Sequence, residues 1–379
     1  MHSSQDRILT THVGSLPRSA DVTDVVFAQE QGETPDDATV IIRDAVDAVV
    51  KQQVTSGVDI VSDGEMSKIS YATYIKDRIT GFDGDSERSP PSDLEEFPGF
   101  LARQASSGGT PTYRRPCCVG PIAVKDMGPV EEDIANLLAA NKKHEPTESF
   151  MNAASPGVIA LFQPNKHYAT HEDYLDALAE AMAHEYRAIV GAGIVLQLDS
   201  PDLGLGRHMM FKDKSDEEYQ ALAGLHVDAL NRALEGIPKE MVRLHVCWGN
   251  YEGPHHHDAP MEMVLPVALR ANVGALLFES SNPRHAHEWE TFANTELPDD
   301  LILVPGVIDS TTNFVEHPKL VAERICRFAD IVGRERVIAG SDCGFATFAG
   351  FGAVDQDIVY AKLKSMADGA AIASDRLWG

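Results

Sequence analysis

The chain is poor in cysteine and in positive charge, and each shortage excludes something. Five cysteines in 379 residues, an odd number, argue against a disulfide framework and for a reducing compartment, so a cytoplasmic protein is expected. Lys and Arg number 32 against 58 Asp and Glu, a formal net charge of -26. Nucleic acid or an anionic membrane would be repelled by that field. No apolar run reaches the length of a membrane span. The N-terminus, MHSSQDRILTTHVGS, lacks the basic start and apolar run of a signal peptide. GSLPRS, after the first strand candidate, is not the GxGxxG of a dinucleotide fold.

What is present is rhythm. Short apolar β-rich runs alternate with longer amphipathic stretches. The strand candidates are 8–14, 58–63, 157–162, 194–199, 242–247, 275–279, 302–307 and 336–341. DDATVIIRDAVDAVVKQQV, YLDALAEAMAHEYRAIVGAG and LVAERICRFADIVG repeat apolar residues at three- and four-residue steps, as helices do. Eight strands alternating with helices predict an α/β fold, a (β/α)8 TIM barrel spanning 1–379 as a single domain. Residues 64–155 break the rhythm. They are rich in Pro, Gly and Ser, with one extra strand candidate at PCCVGPIAV, and read as a long insertion after strand 2 packed over one barrel end.

Barrel chemistry sits at the C-terminal ends of strands, and several strand ends here are polar. His245 and Cys247, in RLHVCWGN, are two residues apart, so a strand points both to one face. Glu279 ends LLFESSN and Cys343 lies in GSDCGF, on strands that end at the same rim. His245, Cys247, Glu279 and Cys343 make a nitrogen, sulfur, oxygen, sulfur set suited to Zn2+. Two thiolates and a carboxylate would leave zinc with a formal charge of about -1, a poor activator of water. Such a metal is better suited to lowering a substrate thiol's pKa, which points to alkyl transfer to sulfur. A non-catalytic zinc-stabilised barrel is the bland alternative. Against it, the ligands span almost a hundred residues rather than one local segment. The run His255, His256 and His257 could bind a metal, but a solvated polar loop is the favoured reading; Cys117, Cys118 and Cys326 read as packing, and His285 and His287 as a helix start without a required function.

THVGSLPR, VSDGEMSK, LQLDSPDLG, HVCWGN, FESSN, VPGVID and GSDCGF follow one another in an order that resembles the C-terminal catalytic barrel of cobalamin-independent methionine synthase. The resemblance implies zinc on His245, Cys247, Glu279 and Cys343. It implies an amino-acid pocket lined by Ser15, Glu65 and Asp199, with the carboxylates holding the homocysteine ammonium. A length of 379 residues leaves no room for the second, N-terminal barrel of full-length members. The family's general-acid histidine after strand 7 has no counterpart; Asp309, Ser310 and Thr311 stand there instead, with Asp309 the catalytic candidate at that place. The tryptophan that stacks on folate is also absent, near Phe162 and Gln163. The donor expectation therefore includes a corrinoid-bound methyl group, with a corrinoid carrier protein as partner, beside a methyltetrahydrofolate. HVCWGNYEGPHHHD and GVIDSTTNFVEHP are similar to the single-barrel branch that includes epoxyalkane:coenzyme M transferase. That branch implies a proton donor for the opened epoxide, with His255, His257 or Tyr251 as candidates. Glu65 and Asp199 favour an amino-acid thiol, while Arg18, Arg207 and Arg284 keep a sulfonate thiol in view. The oligomeric state stays open.

Overall fold

The computed structural model describes residues 1–87, 90–106 and 115–379. Eight strands form one parallel sheet: β1 Leu9–Thr10, β2 Ile60–Val61, β3 Glu148–Ala154, β4 Val195–Asp199, β5 Val242–His245, β6 Ala275–Phe278, β7 Ile302–Ile308 and β8 Ile338–Ser341. β1 pairs with β8, and each later strand pairs with its predecessor back to β2. Asp59 N donates to Thr10 O (3.2 Å) and Thr11 Oγ1 to Ile60 O (3.0 Å), which draws β1 and β2 together. The result is a nearly closed (β/α)8 barrel, as the alternating runs predict. The three amphipathic patterns form helices Ala38–Thr55, His171–Gly191 and Pro318–Val332.

One strand lies elsewhere than expected. GVIALF is a helix, Pro156–Phe162, and the third barrel strand is Glu148–Ala154 just before it. Ser155 accepts from Val158 N and Pro156 occupies the first turn, an N-cap followed by a proline that starts a helix. ESFMNAA lacks an unbroken apolar run because Asn152 faces the polar barrel axis. The insertion is correspondingly shorter than 64–155. Helix Gly128–His144 packs on Ala38–Thr55 as the barrel helix between β2 and β3, and β3 itself closes the segment. What departs from the barrel is roughly the stretch up to Met127, of which residues 88–89 and 107–114 lie outside the described residues. Phe82–Asp83 and Cys117–Cys118 pair as a short antiparallel ribbon there, and Ser92–Glu95 is a single helical turn.

Alternation along the strands sorts the core. Leu196, Leu198, Val242, Leu244 and Phe278 face the helices, while Val195, Phe150, Leu277 and Val304 fill the lower barrel. Above them the axis turns polar. The Arg243 guanidinium lies over the Phe150 ring, 3.5 Å from its centroid, and Nε donates to Gln197 Oε1 (2.8 Å). Gln197 Nε2 donates to Val13 O and to Asp199 Oδ1 (3.0 Å). This ladder of buried, satisfied polar groups leads to the strand tips.

Candidate metal and substrate site

β5 supplies the first two donors. Arg243, His245 and Cys247 point inward, and Val246 N donates to Leu277 O (3.0 Å), so the strand pairing runs one residue past His245. His245 and Cys247 therefore share a face, as their spacing predicts. Cys343 arrives from the turn after β8, with its Sγ 3.6 Å from that of Cys247. Donor atoms of His245, Cys247 and Cys343 all lie within 4.8 Å of one another, and all three residues are buried. All five cysteines are free thiols.

Asp199 orients the histidine. A carboxylate only accepts, so His245 Nδ1 donates to Asp199 Oδ1 (3.1 Å) and Nε2 presents its lone pair. That Nε2 is buried with no hydrogen-bond partner. A buried, unpartnered imidazole nitrogen beside two buried thiols is a costly arrangement unless something binds there. The donor set fits zinc. Burial would lower the His245 pKa, but the hydrogen bond to Asp199 and the nearby Cys247 and Glu279 raise it. The hydrogen bond to Cys343 and burial push the Cys247 thiol up.

Glu279 stands beside this group rather than within it. Its Oε1 accepts from Trp248 N (2.9 Å) and its Oε2 from Asn282 Nδ2 (2.8 Å). Asp342 holds the loop that carries it, accepting from the backbone N–H groups of Ser280, Ser281 and Asn282 at 2.9 Å each. Gly306 makes room, since a Cβ there would meet Asp342 Oδ1 at 2.0 Å. Burial first, then Glu279 and Asp309, push the Asp342 carboxyl up to about 7. Asp342 is one of the polar strand ends, but its hold on the Glu279 loop and the part played by Asn282 are not visible in the sequence.

The opposite side of the axis carries the carboxylates. Glu65 is buried with a left-handed backbone (φ 59°), an uncommon state for a non-glycine residue, held by Arg18 Nη2 on its carbonyl and by Asp63 Oδ1 on its N–H. Its Oε2 has no hydrogen-bond partner. Burial, with Asp199 and Asp63 close by and only partly offset by Lys68 and Arg18, pushes the Glu65 carboxyl up to about 8. Asn152 from β3 donates to Asp199 Oδ2 (2.9 Å) and leaves its own Oδ1 buried and unpaired. Gly14, at φ 143°, lies against it; a Cβ there would meet that oxygen at 2.2 Å. Asn152 lies outside the strand that the apolar runs predict, because β3 is Glu148–Ala154. Ser15 is buried, and its Oγ accepts from Ala346 N (3.4 Å) in the β8 loop.

The remaining candidates lie in the loop after β5. His255 Nδ1 pairs with Asp258 Oδ2 (2.9 Å), Nε2 with Tyr251 O (2.9 Å), and the ring stacks on Tyr251. Tyr251 OH donates to Asp93 of the insertion (2.9 Å). His256 and His257 are exposed and meet Glu96. Asp309 accepts from Thr311 N, Thr311 Oγ1 and Thr312 Oγ1, which shapes its own loop. His285 is buried against Trp248 and bridges Asp258 and Glu288. Of the three arginines, Arg18 donates its terminal nitrogens to Ala346, Glu65 and Lys68 carbonyls. Arg207 pairs with Asp216, and Arg284 is exposed.

Residues 8–90 and 107–371 match the family described as cobalamin-independent synthase, catalytic domain. The chain belongs to that family. Among similar proteins, the methionine synthase of Saccharolobus solfataricus is 26% identical over 373 residues, covering 97% of this chain and 95% of that protein. The methionine synthase of Sulfolobus acidocaldarius is 24% identical, covering 97% and 93%. In fold, the chain is similar to a B12-independent methionine synthase from Shewanella sp. W3-18-1 solved with selenomethionine. That similarity has a TM-score of 0.70 at 19% identity, over 98% of this chain and 99% of the other. Membership of the cobalamin-independent synthase family agrees with the resemblance read from the motifs. Among the described residues no helix is long and apolar enough to cross a membrane.

Proposed function

We propose that this protein is a zinc-dependent thiol S-methyltransferase that makes methionine from homocysteine, taking the methyl group from a methyltetrahydrofolate or a methyl-corrinoid. The observation that carries the reading is the unpartnered His245 Nε2 beside the Cys247 and Cys343 thiols, facing a pocket of buried carboxylates. His245, Cys247 and Cys343 would hold zinc, with Glu279 as a fourth, exchangeable ligand on the Asn282–Asp342 loop. Zinc, when bound, supplies a Lewis acid that lets a substrate thiol shed its proton near neutral pH.

The chain's own residues bind and orient. Glu65 and Asp199 accept from the homocysteine ammonium, and a cation placed there lets the Glu65 carboxyl ionise. The neighbourhood of Ser15 meets the substrate carboxylate. Asp199 serves two groups, since one oxygen already fixes the His245 tautomer. Methyl transfer forms a carbon–sulfur bond and breaks the donor's bond to methyl. The thiol proton is released and the donor keeps the electron pair. Burial at the strand tips, under an insertion tied down by Asp93, excludes water from the sulfur. We read the chain as one catalytic domain, cytoplasmic, with the insertion as a cover and a corrinoid carrier as a partner if the donor is a corrinoid.

Two observations favour an amino-acid thiol over coenzyme M with an epoxide. Arg18 spends its terminal nitrogens on backbone carbonyls, Arg207 pairs with Asp216, and Arg284 lies exposed rather than buried with the thiols, so no buried guanidinium fork is offered to a sulfonate. The nitrogens of His255 and the hydroxyl of Tyr251 are committed to Asp258, the Tyr251 carbonyl and Asp93. The test incubates the zinc-loaded protein with homocysteine or coenzyme M, each against methyltetrahydrofolate, methylcobalamin and an epoxide, with products read by mass spectrometry. Methionine is the expected product. A hydroxyalkyl thioether of coenzyme M, with no methionine from either donor, overturns the reading.

A further inference from the structure

A second cluster of metal-capable side chains lies on the outside of the barrel mouth. His256 Nε2 is 3.0 Å from Glu96 Oε2, and His257 Nε2 is 2.5 Å from Glu96 Oε1. Taking one donor atom from each residue, the three lie within 4.8 Å of one another, and all three residues are exposed. Adjacent residues of an extended chain point in opposite directions. Here the left-handed turn at His255 (φ 52°) precedes the pair, and the two imidazoles lie side by side, 4.2 Å between centroids and 37° between planes. Phe97, itself 46% exposed, packs edge-on against the His256 ring and restrains it. Two rings so arranged, one braced by an aromatic neighbour, are pre-organised donors rather than freely rotating ones.

We infer that Glu96, His256 and His257 form an exterior site for a divalent first-row transition ion, separate from the buried thiol site. Two neutral imidazoles and a carboxylate suit zinc, cobalt, nickel or copper, which all accept imidazole nitrogen. Metal–ligand distances of 2.0–2.2 Å in a tetrahedral site separate neighbouring donors by about 3.3 Å. Each imidazole nitrogen reaches that spacing from the Glu96 carboxylate by opening less than ~1 Å at the ends of the side chains, with solvent completing the shell. A chain with a net charge of -26 concentrates cations at its surface. The ion would join Glu96 of the insertion to the loop that begins at Cys247, and so fasten the cover over the strand tips.

Cobalt tests this because the two sites differ in colour. Co2+ on two thiolates absorbs strongly in the near ultraviolet, whereas Co2+ on two imidazoles and a carboxylate has only weak visible bands. Full-length protein, stripped with a chelator and titrated with Co2+, is expected to take two equivalents, only one of them raising the near-ultraviolet band. His256→Gln with His257→Gln should take a single equivalent with that band intact, which also reports a folded barrel. Cys247→Ser with Cys343→Ser should take a single equivalent without it. Saturation of the unmodified protein at one equivalent that carries the near-ultraviolet band, or two equivalents retained by the histidine variant, overturns the inference. Binding only at the exterior site would uphold it while removing the zinc-thiol reading.

Discussion

At the strand tips, His245, Cys247 and Cys343 are sealed from water, and His245 Nε2 has no partner among the described residues. On the outer loop, Glu96, His256 and His257 are exposed and already satisfy one another. Each cluster offers three donors within the same span, yet their energetics differ. The buried donors have lost water and gained little in exchange, so a cation there recovers a large desolvation cost. The exposed donors give up existing hydrogen bonds, and their binding is correspondingly weaker and open to competition from water. Unmet need, more than donor geometry, distinguishes the two clusters.

The largest test of that contrast is Cys343→Ser. Loss of a buried donor should reduce methionine formation on the order of 10^3-fold, since a bound metal supplies several kcal/mol of stabilisation. Stopped assays of methionine with zinc content measured in parallel check it. A variant retaining near-normal turnover and zinc content would remove Cys343 from the metal site.

Next is Glu65→Gln. Losing a charged hydrogen bond to the substrate ammonium should raise KM for homocysteine about 100-fold, with a smaller change in kcat. The same change should stabilise the free protein at high pH. The folded carboxyl is raised to about 8, mainly by burial, above the unfolded value of 4.5. The folded state therefore holds a proton that the unfolded state releases, and stability falls as pH climbs from 4.5 toward 8. Tm of the variant minus that of the parent should be near zero at pH 4.5 and positive at pH 8.5; a flat difference would remove the argument.

Asp258 gathers the histidines between these two regions. Burial alone would lower His255 and His285, but Asp258 and, for His285, Glu288 carry them up to about 9 and about 10. Their folded values lie above the unfolded 6.5, so the stabilisation is complete below pH 6.5 and is lost as pH rises through 9 to 10. Asp258→Asn should cost on the order of 2 kcal/mol at pH 6 and progressively less by pH 10, read as Tm against pH. Without metal, the smallest effect belongs to His256→Gln with His257→Gln. Breaking exposed ion pairs should shift stability by less than about 0.5 kcal/mol in denaturant melts.

Much of the barrel and the meeting of His245, Cys247 and Cys343 was legible because the controlling signals are local. The two-residue step between His245 and Cys247 needs only a strand to become a shared face, and β5 is one. β3 was harder. ESFMNAA carries Asn152 toward a polar axis, while GVIALF imitates a buried strand but begins after a Ser-Pro cap. Apolar length outweighed the cap, and the error concealed Asn152 as a site residue. The Asp342 cradle under Ser280, Ser281 and Asn282 had no sequence signature, because a carboxylate that binds backbone N–H groups across two strands leaves no pattern in either. The link from Asp93 to Tyr251 and His255 joins residues about 160 positions apart, beyond the reach of periodicity.

The ladder from Phe150 through Arg243 and Gln197 to Asp199 has a consequence for how this molecule fails. Truncating Arg243 to a small apolar side chain would leave a barrel that is still hydrophobic below and still closed around its rim. The damage would travel upward, freeing Gln197, loosening Asp199 and letting the His245 ring turn its proton toward the thiols. Such a variant would pass a screen for soluble, folded protein and fail in the hands of an enzymologist, its lesion lying well beneath the pocket where the loss is measured.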